Sequence, residues 1–310
     1  MDYVIGIDMG ATKIHSALVS MKGKIIEEYK TLTESDKSSE VTISKIRHSI
    51  SKLWNKDVKA IGIGIPGPID RKTKKAYPPN IPNIKGINIA KELSEYKDMI
   101  VTENDSNCFV LAEHRFGEGR KYNNIIGITL GTGVGGGIIA NGQLLLGEKG
   151  MASEIGHITI DKDGYLCNCG NHGCLEMYAS GTAIEMRTLR HIKIKDIPTR
   201  LKEEEVTALK VHYVALKGDK LAKKVMSDTG RYLGIGISAL INVFNPGLIV
   251  FGGGVSVALP SMNKTLSATI KERAMHPANK VRMVVSRLKH PGTLGAACVA
   301  IDFFKENQGS

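Results

Sequence analysis

The feature that most constrains this chain is a strand-and-glycine pattern that occurs twice. Residues 5–12 read IGIDMGAT and residues 126–133 read IGITLGTG, so in each an apolar run enters a glycine-containing turn. Each turn is followed by a second apolar run that ends in its own turn, at Lys22-Gly23 and at Asn141-Gly142. The repeated order predicts two similar halves, each presenting a glycine turn to a shared cleft.

The rest of the chain mixes the two periodicities. Strands are predicted at 3–7, 15–20, 25–31, 58–65, 100–102, 124–130, 137–140, 143–146, 248–251 and 281–286, and helices at 39–54, 106–116, 180–191, 199–217, 220–244 and 293–304. The helix at 106 is predicted to start with Ser106 as its N-cap. Because strands and helices alternate in both halves, the predicted class is α/β, and 310 residues are enough for two domains.

Glycine turns at strand ends leave backbone N–H groups unpaired and let phosphate oxygens approach. Asp8 ends the first strand, where a carboxylate can hold Mg²⁺, and Thr12 and Lys13 add a hydroxyl and a cation. The run 131–137 offers a second set of phosphate contacts, and Gly252–Gly254 follows another predicted strand. Three such turns together favour a nucleotide site over ordinary hairpins.

Two other nucleotide motifs fit less well. Gly131, Gly133 and Gly136 match G-x-G-x-x-G, but a dinucleotide site needs a helix directly afterwards, and β-type residues follow here. The Gly-Lys-Ser/Thr ending of a Walker A loop is absent from the sequence.

Three cysteines lie within eight positions, at Cys167, Cys169 and Cys174, ten residues after His157. Three thiolates and one imidazole make a closed tetrahedral set, which is typical of structural Zn²⁺. His172 is an alternative fourth ligand, although a histidine between two close cysteines would have a strained bite.

Asp105 is the candidate general base, because phosphoryl transfer to an alcohol needs a carboxylate near the attacking hydroxyl. On local sequence alone, the pattern favours Asp105 as an ordinary helix-start residue, stabilised by the helix dipole, over a catalytic base.

Composition limits the partners. The formal net charge is +11, but the lysines are spread along the chain, which favours a solvated surface over a nucleic-acid patch. The sequence shows no apolar run of membrane-spanning length and no signal-peptide pattern, and its cysteines fit metal rather than disulfides. We therefore expect a cytoplasmic protein without membrane or nucleic-acid partners. Gly309-Ser310 is interpreted as a cloning remnant.

In this order, the motifs resemble those of the ROK family (repressors, uncharacterised proteins and sugar kinases), which belongs to the hexokinase–actin superfamily. The resemblance covers essentially the whole chain. The matching motifs are Asp8-x-Gly10-x-Thr12-Lys13, Asn104-Asp105, Leu130-Gly131-Thr132-Gly133-x-Gly135, Gly156-His157 with Cys167-x-Cys169-Gly170-x-x-Gly173-Cys174-x-Glu176, and Asn245-Pro246 through Gly252-Gly253-Gly254.

The resemblance implies a two-domain actin-like (ribonuclease H-like) fold with a cleft between a smaller domain, residues 1–118 plus 291–310, and a larger one, residues 119–290. It implies Asp105 as general base and a sugar site made of Gly67, Asn80, Asn104, Asp105, Glu154, His157 and Glu176. It implies an ATP and Mg²⁺ site made of Asp8, Gly10, Thr12, Lys13, Thr132, Gly133, Gly253 and Gly254. Zn²⁺ would be bound by His157, Cys167, Cys169 and Cys174, and the protein would be a homodimer or homotetramer.

The activity implied is ATP-dependent phosphorylation of a hexose. Glu154, in Ser-Glu-Ile-Gly-His, is more similar to the glucose-kinase pattern, so glucose is the first candidate substrate. N-acetylmannosamine, N-acetylglucosamine and a broader hexose range stay open. A sugar sensor or a repressor-like protein is the alternative class. The family's repressors carry a helix-turn-helix domain before the kinase-like part, whereas the first phosphate turn here begins at residue 8.

Overall fold

The structure is a computed structural model that describes residues 1–308, so Gly309 and Ser310 lie outside the described residues. The strands are β1 (Tyr3–Met9), β2 (Lys13–Ser20), β3 (Ile25–Leu32), β4 (Val58–Ile65), β5 (Ile100–Asn104), β6 (Ile125–Leu130), β7 (Val134–Ala140), β8 (Gln143–Leu144), β9 (Leu248–Gly252) and β10 (Arg282–Val285). The helices are α1 (Ser39–Leu53), α2 (Ile89–Glu92), α3 (Asp105–Phe116), α4 (Glu176–Ala179), α5 (Gly181–Ile194), α6 (Ala208–Leu216), α7 (Lys220–Phe244), α8 (Leu259–Arg273) and α9 (Pro291–Gln308).

The chain forms two compact units. The first contains Met1–Tyr122, Gly137–Ser153 and the chain from Arg287 onward, and the second contains Asn123–Gly136 and Glu154–Ser286. The predicted division at residues 118 and 291 stays a prediction.

The first unit is built on the sheet β3-β2-β1-β4-β5. β1 and β2 are antiparallel, whereas β1, β4 and β5 run parallel. Alternate side chains of a strand point to opposite faces, so Ile5 packs in the core cluster shared with α1, and its neighbour Val4 packs in the cluster that includes Leu294 of α9. Helices therefore cover both faces of this sheet.

Helix α9 approaches the sheet so closely that only glycine fits beneath it. A Cβ added to Gly62 on β4 would lie 1.9 Å from the Ala296 carbonyl oxygen. A Cβ on Gly295 of α9 would lie 1.8 Å from the Cys108 carbonyl oxygen on α3. These glycines set the position of α9, whose first turn adjoins the end of β1.

The second sheet has the order β10-β9-β6-β7-β8, which repeats the chain-order succession of the first. β9 runs parallel to both β6 and β10. In the second unit, the long helix α7 packs against α8, α6 and α5. The repeated strand order agrees with the two similar halves that the sequence predicts.

Two sequence predictions of helices were wrong in detail. The helix expected at 199–217 begins only at Ala208, because the Asp219 carboxylate accepts hydrogen bonds from Thr199 Oγ1 and from the Arg200 N–H and holds this stretch away from helix geometry. The N-cap of α3 is Asn104 rather than Ser106.

Among residues 1–308, the longer helices are all too polar or too short to span a bilayer.

Candidate functional site

Asp8 lies near the end of β1 and faces the first turn of α9. A Cβ added to Gly292 would lie 2.5 Å from Asp8 Oδ2, so the carboxyl group fills the space that a side chain there would need. Burial raises the pKa of Asp8 from 3.8 to about 6, and the nearby Lys13 cation partly opposes the increase. A bound divalent cation would stabilise the charged form, which is the usual way to offset such a burial cost.

The turn after Asp8 is closed by backbone bonds. The Gly10 N–H donates to the Lys13 carbonyl at 2.9 Å, and Thr33 Oγ1 donates to the Gly10 carbonyl at 2.6 Å. The Thr33 N–H donates to the Thr12 carbonyl at 3.0 Å. Thr12 and Lys13 are exposed, so their hydroxyl and ammonium groups are accessible to an anion.

The second glycine turn is held by the start of α5. Gly181 N–H donates to the Gly131 carbonyl at 2.8 Å, and Thr182 Oγ1 donates to the Thr132 carbonyl at 2.9 Å. Thr132 itself is exposed. The carbonyls are thus occupied, and the turn presents its hydroxyl and its glycine backbone to a ligand.

Glu176 reaches this turn from α4. Its Oε2 accepts the Val134 N–H at 2.9 Å, and a Cβ on Gly133 would lie 2.3 Å from the same oxygen. In the sequence, Glu176 follows Cys174 by two residues, beside the cysteine cluster. The sequence does not predict the contact with Val134, because 42 residues separate the partners.

The turn after β9 contains one structural and one open glycine. Gly253 has φ +80°, and a Cβ there would lie 2.3 Å from the Leu130 carbonyl oxygen. A Cβ on Gly254 would meet nothing within 4 Å, and both glycines are exposed. Gly253 therefore serves the fold, and Gly254 leaves room beside the backbone.

Asn104 and Asp105 stand where β5 passes into α3. Asn104 Oδ1 caps the helix by accepting from the N–H groups of Ser106 and Asn107 at 2.9 and 3.1 Å. Its Nδ2 donates to the Gly67 carbonyl at 3.1 Å. Asp105 Oδ1 accepts the Ser106 N–H at 2.7 Å. The predicted pair is therefore fixed at a helix N-terminus and tied to the loop at Gly67.

An ion pair that sequence reasoning missed supports this corner. The buried Glu103 carboxylate accepts from Arg71 Nη2 at 2.8 and 2.7 Å, from the Asn104 N–H at 2.8 Å and from Asn107 Nδ2 at 3.0 Å. The available signal was a charged residue close behind the short apolar run Ile100-Val101. The ion pair fixes the backbone directly before Asp105.

Gly67 and Asn80 lie in the loop after β4. Gly67 has φ +79°, and a Cβ there would lie 2.7 Å from Pro79 Cδ, so the turn requires glycine. Asn80 is exposed.

His157, Cys167, Cys169 and Cys174 form one cluster whose ligand atoms all lie within 4.8 Å of one another. Cys169 and Cys174 Sγ are 3.6 Å apart, and Cys167 Sγ is 3.7 Å from His157 Nδ1. These gaps suit a tetrahedral ion with metal–sulfur bonds of about 2.3 Å. His172 is exposed outside this group.

The surroundings of the cluster shift the pKa values of its thiols in opposite directions. Burial raises the pKa of Cys174 to about 12, whereas the Asn171 backbone N–H lowers the pKa of Cys169. A thiol with a raised pKa loses its proton when a cation binds beside it.

Glu154 lies three residues before His157 and has an exposed side chain. Protein atoms around the carboxyl group exclude part of its water and raise its pKa, and the negative charge of Glu176 adds a smaller increase.

The predicted residues divide between the two units. The first unit holds Asp8, Gly10, Thr12, Lys13, Gly67, Asn80, Asn104 and Asp105, and the second holds Thr132, Gly133, Glu154, His157, Cys167, Cys169, Cys174, Glu176, Gly253 and Gly254.

Several proteins are similar to this chain along its length. A glucokinase from Thermotoga maritima is 33% identical over 96% of this chain and 96% of its own. The crystal structure of a ROK family glucokinase from Streptomyces griseus, in complex with glucose and AMPPNP, is 30% identical, with a TM-score of 0.80 over 97% of this chain and 99% of that one.

A xylose repressor from Bacillus subtilis is also similar, with 30% identity over 97% of this chain and 78% of its own length. The two five-stranded sheets, together with the likeness to ROK glucokinases, give the chain the two-domain actin-like fold. The model of the ROK family matches residues 4–302, and the chain therefore belongs to the ROK family.

Proposed function

We propose that this protein transfers the γ-phosphate of ATP to a hydroxyl group of a hexose, with glucose as the first candidate. The observation that carries the proposal is the Asn104–Asp105 pair. A carboxylate is held at the start of α3 by its Ser106 contact, next to an amide tied to the Gly67 carbonyl. The full-length likeness to a glucokinase that binds glucose and AMPPNP supports it.

Asp105 would act as general base. As the sugar oxygen forms its bond to the γ-phosphorus, its proton passes to the Asp105 carboxylate, and the bond from the γ-phosphorus to the bridging oxygen of ADP breaks. The ion pair between Arg71 and Glu103 would keep the base in place, because it fixes the adjoining backbone.

The glycine turns would bind ATP. Asp8 would hold Mg²⁺, and the charge of the ion would offset the free-energy cost of burying the ionised carboxylate. The residues proposed for the remaining nucleotide contacts are Gly10, Thr12, Lys13, Thr132, Gly133, Gly253 and Gly254. The exposure of Thr12, Lys13 and Thr132 supports this assignment.

The sugar would contact Gly67, Asn80, Asn104, Asp105, Glu154, His157 and Glu176. Glu176 Oε2 already accepts the Val134 N–H, so its role in sugar binding would fall to the other oxygen. Glucose is the first candidate because Glu154, in Ser-Glu-Ile-Gly-His, is similar to the glucose-kinase pattern. N-acetylmannosamine, N-acetylglucosamine and a broad hexose range are the alternatives.

Zn²⁺ would occupy the cluster of His157, Cys167, Cys169 and Cys174, where the measured separations fit its bond lengths. Four protein ligands leave no open position, so the ion would fix the loop between Glu154 and Glu176 rather than take part in the reaction.

The test is Asp105→Asn, with Asp98→Asn on an exposed position as the matched control. We expect kcat to fall by about 10²–10⁴-fold for Asp105→Asn, with sugar binding by calorimetry retained because asparagine can still hydrogen-bond the sugar. The control is expected to keep the wild-type kcat. Retained turnover in Asp105→Asn would exclude it as the base.

A sugar sensor is the second candidate, and the similar xylose repressor favours it. Sugar binding by the wild-type chain without turnover on any sugar would support the sensor.

A cytoplasmic location and a homodimer or homotetramer stay predictions. Light scattering behind size-exclusion chromatography tests the oligomer.

A further inference from the structure

A second group of metal-ligating side chains shares no member with the residues discussed so far, although His15 on β2 pairs in register with Asp8 on β1. His15 on β2, Glu28 on β3 and His290 just before α9 offer three ligand atoms within 4.8 Å of one another. His15 Nε2 is 3.0 Å from Glu28 Oε2, and His290 Nε2 is 3.5 Å from the same oxygen. The imidazole ring centroids are 4.0 Å apart. All three residues belong to the first unit.

The other face of His15 is occupied by Thr293. The Thr293 hydroxyl donates to the His15 backbone carbonyl at 3.3 Å, which leaves its oxygen to accept from His15 Nδ1 at 2.6 Å. With the ring proton on Nδ1, this arrangement would leave the lone pair of Nε2 directed at Glu28. A partner that fixes the tautomer in this way is the usual second contact of a metal-ligating histidine.

His15 is buried among protein atoms, away from bulk water. In that tautomer, His15 Nε2 and Glu28 Oε2, 3.0 Å apart, are both acceptors. A cation between them would satisfy both atoms.

The backbone conformation of His290 also fits a position as a metal ligand. Its φ is +52°, in the left-handed region. A non-glycine residue is less stable in this conformation, so contacts with the surrounding structure must hold it there. That conformation brings its ring beside His15, and its carbonyl accepts the Leu294 N–H at 3.0 Å in the first turn of α9.

We propose that His15, Glu28 and His290 form a binding site for a divalent transition-metal ion, with Zn²⁺ as the preferred ion. With metal–nitrogen and metal–oxygen bonds of about 2.0–2.1 Å, the two separations correspond to ligand–metal–ligand angles of about 95° and about 115°. Two imidazoles and one carboxylate favour Zn²⁺ over Mg²⁺ or Ca²⁺.

The site is reachable and leaves one position for water. The side chains of Glu28 and His290 are 37% and 34% exposed, which provides an entry path. The competing cation is Lys30, whose Nζ lies 3.6 Å from Glu28 Oε2. Its side chain is 55% exposed and can turn into solvent when an ion binds. The three ligands also link β2, β3 and the start of α9.

The test measures bound Zn²⁺ per chain by equilibrium dialysis and elemental analysis. We expect the wild-type chain to hold one ion more than Glu28→Gln and one more than His290→Asn. Asparagine tolerates a positive φ, and Glu28 is partly exposed, so both variants should fold. His48→Asn, at an exposed histidine of the same unit, is the control and should keep the wild-type count.

The difference between variants is independent of whether the cysteine cluster is loaded, because none of these substitutions alters a cysteine. Thr293→Val, which removes the partner of Nδ1, should weaken Zn²⁺ binding by about 10–100-fold. Equal counts in wild type, Glu28→Gln and His290→Asn would overturn the proposal.

Discussion

Asp8 is predicted to lower the stability of the protein in the absence of its ligands. Its pKa is raised by burial from 3.8 to about 6, so the folded state holds the proton more tightly than the unfolded state does. The penalty is absent below pH 3.8 and grows as the pH rises to 6. At roughly 1.4 kcal/mol per pH unit, it reaches about 3 kcal/mol above pH 6. Because the side chain is partly accessible, this figure is an upper value.

Asp8→Asn removes the charge and with it the penalty. In buffer without nucleotide or Mg²⁺, the variant should be more stable than wild type by about 1 kcal/mol at pH 4.5 and by up to about 3 kcal/mol at pH 7.5. Kinase activity should fall at the same time, because Asp8 is the proposed Mg²⁺ ligand. Urea unfolding at several pH values measures the free energy of unfolding, with Asp98→Asn as the exposed control.

A stability gain that does not change with pH would refute this reasoning about Asp8. So would a variant less stable than wild type at pH 7.5.

The remaining predictions concern two close contacts and the cysteine cluster. Gly295→Ala should destabilise the protein by about 1–3 kcal/mol or more in urea unfolding, because its Cβ would lie 1.8 Å from the Cys108 carbonyl oxygen. Gly133→Ala should raise KM for Mg-ATP in steady-state kinetics, because its Cβ would displace the Glu176 carboxylate from the Val134 N–H. Cys174→Ser should lose bound zinc and lower Tm in calorimetry, by about 1–2 °C for each kcal/mol lost in a chain of 310 residues.

Each of these predictions has a contrary outcome. Gly254→Ala meets nothing within 4 Å and is the stability control for Gly295→Ala, so equal losses would contradict the packing account. An unchanged KM for Mg-ATP in Gly133→Ala would show that this turn does not bind ATP. A chelator should lower the Tm of wild type, as the Cys174→Ser substitution does. Re-added Zn²⁺ should then restore the Tm of wild type but leave that of Cys174→Ser low. An unchanged Tm would show that the cluster does not stabilise the fold through a metal.

Local signals in the sequence predicted the framework. The apolar runs and glycine turns located β1, β4, β6 and β9, because a buried strand and its turn depend mainly on neighbouring residues. The start of α3 was placed one residue late, because Asn104 caps the helix and Asp105 is already helical. The helix predicted at 199–217 was too long, since propensity could not anticipate the distant Asp219 carboxylate.

What the sequence could not predict depends on contacts between distant residues. The Glu176 carboxylate on the Val134 N–H joins positions 42 apart, and His15 meets Thr293 across 278 residues. The ion pair of Arg71 and Glu103 likewise joins a loop to a strand. Such pairs arise only when the sheets and helices pack, so periodicity carries no sign of them.

A coupled phosphorylation assay with Mg-ATP tests the proposed sugar kinase activity. Glucose, mannose, fructose, allose, N-acetylglucosamine and N-acetylmannosamine are the acceptors, and wild type is compared with Asp105→Asn. The account predicts turnover by wild type on glucose, with a loss of about 10²–10⁴-fold in the variant. Absence of turnover on every sugar by folded, zinc-loaded wild type would contradict it and would favour a sugar sensor.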